Sequence, residues 1–226
     1  EFMCIVKAML ETGILPDFIV VDGKEGGTGA APLEFANRVG MPMLEGLAFV
    51  HNTLLGAAIR DRIRIGAAGK IVSAFDIARA MAMGADWCNS ARGFMFAIGC
   101  IQAQACHTNK CPVGVATQDP QRQKALDVGD KSDRVARFLK NTLHALGELV
   151  GAAGLQKPDD FLPYHFMFRP QENTFLDGNE AFPYLPEGFL LLDDGYPELA
   201  EWRSRWARAS AHSFAPQLVP HGRYAP

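Results

Sequence analysis

The chain has 226 residues, 48% of them hydrophobic, with a net charge of -3 and a pI of about 6.1. It is long enough for one sizeable core, and its charge balance gives no sign of a nucleic-acid or anionic-membrane partner. No apolar run approaches the roughly 20 residues of a membrane span, and no signal peptide opens the chain. The five cysteines are odd in number and three sit together, which argues against a secreted disulfide framework. These features predict a cytoplasmic protein, with any membrane anchor lying upstream of Glu1. The chain opens on Glu1 rather than methionine and enters helical pattern at once, which reads as a piece of a longer protein.

Residues Phe2 to Leu10 read as the end of an amphipathic helix, closed by Gly13 and Pro16. Phe18-Ile-Val-Val21 is a continuous apolar run, the pattern of a strand buried on both faces of a parallel sheet. It runs into the glycine-rich loop Asp22-Gly-Lys-Glu-Gly-Gly-Thr-Gly29, after which Pro32 suits the first turn of a helix. Helical pattern resumes from about Leu47 to Ile59, and Arg62-Ile-Arg-Ile-Gly66 reads as the second strand. Residues Asp76 to Met83 form a compact helix with the Asp at its favoured N-terminal end. Ala85-Asp-Trp-Cys-Asn89 is the third strand, and Ser90-Ala-Arg-Gly93 leads into the cysteine segment. This alternation predicts right-handed βα units on a parallel sheet.

From Lys131 to Ala153, Val135, Phe138, Leu139, Leu143, Leu146 and Val150 recur at helical spacing, so this helix covers the core. Past Pro158, Pro163, Pro170, Pro183, Pro186 and Pro197 break up an aromatic-rich stretch. It is too apolar for a disordered tail and reads as an irregular extension wrapped over the domain. One further helix fits Pro197 to Ala211, and the last dozen residues read as loose. The expected division is 1–157 for the α/β domain and 158–226 for the extension.

Cys100, Cys106 and Cys111 stand in the spacing C-x5-C-x4-C, followed directly by Pro112. Thiolates this close can bridge to one inorganic centre, and soft sulfur ligands select iron–sulfur clusters, zinc or Cu(I). Three ligands point to a cluster with one corner missing, of the [3Fe–4S] kind. Zinc would need a fourth ligand; His107 is available, although it adjoins Cys106 and two neighbours rarely converge on one tetrahedral ion. Three buried structural thiols are the plainer alternative. Cys4 and Cys88 stand apart and read as buried small hydrophobes.

The loops after the strands carry a second signal. Backbone N–H groups freed by glycine, together with helix N-termini, make anion sites. Gly69-Lys70 after one strand and Ser90-Ala91-Arg92-Gly93 after the next have the order in which phosphate-binding barrels grip a phosphate. Gly69-Lys70 is no Walker A loop, because Ile71 replaces Ser/Thr. Each loop alone is an ordinary tight turn. Together, beside a redox cluster, they favour a phosphorylated redox cofactor, and FMN fits best.

Gly26-Gly-Thr-Gly-Ala30 with Pro32, and the run from Gly99-Cys100 through Cys106-His107 to Cys111-Pro-Val-Gly-Val-Ala-Thr-Gln118, resemble the FMN-binding domain of glutamate synthase. The similarity, to the stand-alone FMN-binding glutamate synthase family of bacteria and archaea, runs from about Glu1 to Arg169 and is looser beyond. It implies the C-terminal part of a (β/α)8 barrel, with the three strands as the sixth, seventh and eighth. It implies that Cys100, Cys106 and Cys111 hold a [3Fe–4S] cluster. Gly69, Lys70, Ser90, Ala91 and Arg92 would take FMN phosphate. Asp22, Gly23, Gly26, Gly27, Thr28 and Gly29 would lie beside the flavin ring and substrate, where Lys24 and Glu25 are candidates for substrate contact. The implied reaction condenses ammonia with 2-oxoglutarate and reduces the 2-iminoglutarate to glutamate, with electrons from an outside donor.

The first five strands are absent, along with the basic residues expected to hold the 2-oxoglutarate carboxylates, so no catalytic residue is assigned and the piece alone is expected to be inactive. No glutaminase domain is present, and glutamine hydrolysis is not assigned. Two other readings stay open: an enzyme that joins another amine to a glutamate skeleton, and a non-catalytic electron-transfer or zinc-bound module. The resemblance is compatible with a homo-oligomer.

Overall fold

Three short strands, β1 (Phe18–Asp22), β2 (Arg64–Ala68) and β3 (Trp87–Asn89), lie side by side in chain order. The structure, a computed structural model, describes residues 1–23, 39–192 and 196–215. The readings at Lys24, Glu25, Gly26, Gly27, Thr28, Gly29 and Pro32, and nearly all of the final dozen residues, lie outside them.

β2 and β3 pair in parallel, with Gly66 opposite Trp87 and Ala68 opposite Asn89. The Asp17 carbonyl accepts from Arg64 N–H at 3.0 Å, and Gly23 N–H donates to the Ala68 carbonyl at 2.9 Å. The order is the same at both ends of β1, as parallel strands require. The expected alternation of strands and helices on a parallel sheet is therefore present.

Two readings of the strands need correction. Within this chain β1 is not covered on both faces: Phe18 is 57% and Val20 41% exposed, and only Val21 is buried. β2 begins two residues later than the Arg62-Ile-Arg-Ile pattern suggested, since Arg60–Arg62 form a short 3-10 turn. Gly66, Ala67 and Ala68 have no branched side chains to announce a strand. Gly66 is nevertheless required there, because a Cβ would come within 2.5 Å of the Trp87 indole.

Between β2 and β3 runs α3 (Ala74–Ala82), whose N-terminus is closed by a reciprocal Ser73–Asp76 capping box. Ala74, Ala78 and Ala82 recur every fourth residue on one buried face. Against them pack Leu146 and Val150 of α6 (Val128–Ala152), with Phe161 and Phe166 completing the cluster. Small residues on α3 let the longer helix approach closely. The short helix α4 (Arg92–Ala97) follows β3, and α5 (Pro120–Gln123) follows the cysteine segment.

The stretch after Pro158, read as irregular, contains an antiparallel hairpin of β4 (Met167–Gln171) and β5 (Thr174–Asp177) and a short helix α7 (Gly178–Ala181). Pro170 within β4 hid it from pattern reading, since proline is tolerated only in edge strands. Asn173, at φ 62°, makes the turn.

The chain divides into two compact units. One gathers the described residues of 20–48 and 65–183, with β3 and most of β1 and β2; the other gathers 1–19, 49–64 and the described residues from Tyr184 onward. In the second unit, α1 (Phe2–Thr12) buries Met3, Cys4 and Val6. Phe49, in α2 (Met43–Gly56), stacks on Trp202 of α8 (Ala200–Arg208) with ring centroids 5.5 Å apart. Leu185, Phe189 and Leu190 form a small core with Trp202 and Trp206, and Asn52 Oδ1 accepts from Leu185 N–H at 2.8 Å. α2 ends before the expected Ile59 because Ala58 adopts φ 54°.

Candidate functional site

Parallel pairing puts the carboxyl ends of the strands on one edge, so the loops that follow are neighbours. Gly23 follows β1 and is buried; a Cβ on it would meet the Met43 Cα at 2.3 Å, so only glycine fits. Gly69, directly after β2, has φ +129°, and its Cβ position would lie 3.4 Å from Gly23 N. Lys70 is exposed and also left-handed, at φ 49°. Ser90 Oγ donates to the Ile71 carbonyl at 2.7 Å, tying the loop after β3 to the loop after β2. Ala91 caps α4 without a side-chain bond, and half-buried Arg92 is the first helical residue.

The predicted Gly23, Gly69 and Ser90 are thus brought together through backbone contacts and one side-chain bond. Asp22 is the exposed last residue of β1. Gly69 and Lys70, with Met43 and Glu45, line a cleft of about 480 Å³ among the described residues.

The end of α4 delivers the chain to the cysteines: Cys100 N–H donates to the Met95 carbonyl at 2.9 Å, after a turn at Gly99 with φ +105°. Cys100, Cys106 and Cys111 line one pocket, together with Met95, Ala103 and Val113. All three are free thiols, Cys111 buried and the other two at intermediate depth. Gln102 and Gln104 both sit at φ 55°. Left-handed backbone costs a residue with a side chain roughly 1–2 kcal/mol, so the first half of the loop holds strain while curving around the pocket.

Burial opposes ionisation of Cys111, but backbone N–H groups of Ala116, Val113, Val115 and Gly114 outweigh it and hold the thiol below its ordinary pKa. Cys111 therefore ionises more readily than an ordinary cysteine. Among the described residues, no three His, Cys, Asp or Glu side chains converge as the ligands of a single ion would. His107 is exposed.

Sequence reasoning missed the pair that closes this loop. Asn109, at φ 62°, accepts on its backbone carbonyl from the Thr117 hydroxyl at 2.7 Å, and its Oδ1 accepts from Gln118 N–H at 2.6 Å. Gln123 Nε2 donates to the Thr117 carbonyl at 2.8 Å, fixing α5 to the same loop. The available signal was an Asn before Cys111 and a Thr after it, both residues that bond to nearby backbone. Cys88 lies outside the cluster, its Sγ 3.9 Å from the Ile77 carbonyl. Burial, with the Asp76 carboxylate adding to it, pushes its pKa to about 12.

The conserved region in glutamate synthase matches residues 5–156. The chain belongs to the glutamate synthase family. It is 43% identical over 169 residues to the glutamate synthase large subunit-like protein YerD of Bacillus subtilis, covering 75% of this chain and 32% of that one. Over 139 residues it is 40% identical to the archaeal glutamate synthase (NADPH) of Methanocaldococcus jannaschii, covering 62% of this chain and 27% of the relative. With the chloroplastic ferredoxin-dependent glutamate synthase 2 of Arabidopsis thaliana the match, at 33% identity, extends over 94% of this chain and 13% of the relative. The chain thus spans about a third or less of the length of these glutamate synthase relatives. No helix among the described residues is long and apolar enough to cross a membrane.

Proposed function

We propose that this chain is the C-terminal part of a (β/α)8 barrel that reduces 2-iminoglutarate, formed from 2-oxoglutarate and ammonia, to glutamate with the help of FMN and a [3Fe–4S] cluster. Residues 1–157 make the barrel part and 158–226 the extension. When bound, the flavin supplies hydride to the imine carbon and the cluster supplies single electrons from an outside donor. The glutamate synthase names of the relatives support this reaction class.

One observation carries the reading: three cysteines line one pocket. Three thiolates suit a cluster, which spreads its ligands over several irons, better than a tetrahedral zinc, which takes four. Cys100, Cys106 and Cys111 would hold the cluster. The N–H groups around Cys111 lower its pKa and so favour the thiolate form a cluster ligand needs.

For the flavin phosphate, the candidates are Gly69, Lys70, Ser90, Ala91 and Arg92. Their loops are tied together, and the Arg92 guanidinium can donate charge-assisted bonds to a phosphate alongside the backbone N–H groups. Asp22 and Gly23, with Gly26, Gly27, Thr28 and Gly29, would border the flavin ring and the substrate. The test is an anaerobic assay of the holoprotein with 2-oxoglutarate, ammonium and a chemically reduced one-electron dye. Glutamate formation that requires all three supports the proposal. Flavin-replete protein that turns over only with another amine would reject the ammonia assignment.

A further inference from the structure

Resting on the proposed cluster, we infer that Arg134 of α6 tunes the reduction potential of the iron–sulfur centre through its positive charge beside Gly99, the neighbour of Cys100. α6 backs directly onto α4: the Phe138 ring meets Phe94 edge-on at 5.2 Å, and a Cβ on Gly93 would come within 2.9 Å of Phe138. Arg134 lies one helical turn before Phe138, on the same face. Its Nη1 is 4.0 Å from the position a Cβ would take on Gly99, the residue just before Cys100.

The backbone side of this contact is anchored. Cys100 N–H is held by the Met95 carbonyl at the end of α4, and Gly99 N–H by the Phe96 carbonyl. Asp130, the acid one turn before Arg134, pairs with Lys131 at 2.9 Å and also feels the charges of Arg134 and Arg137, so it offsets part of the field of both arginines. Arg134 is half-buried, so water and salt screen its charge less than that of a fully exposed residue. Reduction adds one electron to the centre, and a nearby cation favours the more negative state. In the sequence α6 offers only a covering helix with charges on its outer face; packing singles out Arg134.

The test is a redox titration, followed by electron paramagnetic resonance, of iron-loaded holoprotein carrying Arg134→Gln, Arg134→Lys or Arg137→Gln. Iron content is measured first. At the midpoint potential of the unsubstituted protein, Arg134→Gln should lower the reduced-to-oxidised ratio about threefold or more. Arg134→Lys should hold it near the original value. Arg137→Gln, which removes the same charge from an exposed position on the same helix, should shift it much less. An unchanged titration in Arg134→Gln with full iron overturns the inference, as does an equal shift in Arg137→Gln. Loss of iron from Arg134→Gln alone would make the residue structural and overturn the tuning role. If the unsubstituted protein binds no cluster, the reading of the cysteines falls first and this one with it.

Discussion

The Thr117 hydroxyl donates to the Asn109 carbonyl at 2.7 Å, closing the chain around Cys111 across eight positions. The same hydroxyl oxygen accepts from Asp119 N–H at 3.1 Å. Thr117→Val keeps the shape and removes these bonds, with the hydroxyl's second contact to Asn109 Oδ1 at 2.9 Å, at a net cost of about 1 kcal/mol per hydrogen bond. The variant should melt earlier and release iron to a chelator faster, while Thr117→Ser should behave like the original. Equal release rates for Val and Thr would remove this pair from the account of the loop.

Gly114 occupies φ +77°, and a Cβ on it would sit 2.4 Å from the Arg122 carbonyl of α5. Gly114→Ala must therefore move backbone against backbone, an overpacking cost of about 1–3 kcal/mol. Chemical denaturation should register the loss. Gly151→Ala is the contrast, since nothing lies within 4 Å of a Cβ there and the position is helical; it should be neutral or stabilising.

Cys88 offers a pH signature. Its folded pKa of about 12 lies above the ordinary 9.0, chiefly through burial and then through Asp76. The folded chain then holds a proton that the unfolded chain gives up, so this contribution is intact below pH 9 and is lost as pH rises from about 9 toward 12. The stability of Cys88→Ala should fall less over that window. Cys88 in the native protein should also resist alkylation at pH 9 and react once unfolded. Rapid native labelling would refute the burial argument.

Arg92 tests the phosphate assignment. Arg92→Ala should weaken FMN binding by about 1.5–3 kcal/mol, the scale for hydrogen bonds to charged groups. Flavin retention on dilution and gel filtration reads it directly. Unchanged retention would take Arg92 out of the site.

The strand order and the long helix were legible because their signals are local: the Phe18–Val21 run, and Leu146 with Val150 at helical spacing. What stayed hidden depended on neighbours. Gly66 belongs to a strand because Trp87 lies across it, and Arg134 matters because Phe138 clamps its helix on Phe94. The cysteine spacing was fully visible. The Asn109–Thr117 closure was not, because a hydrogen bond between loop positions has no period.

The central claim is that Cys100, Cys106 and Cys111 together hold one three-iron cluster. Iron and sulfide analysis with electron paramagnetic resonance on anaerobically purified holoprotein tests it most directly. The account predicts about three irons per chain and, in the oxidised state, a signal of the [3Fe–4S] type. Both should be lost in Cys111→Ser and kept in Cys88→Ser and Cys4→Ser. Full iron in Cys111→Ser, or stoichiometric zinc in place of iron, would contradict it.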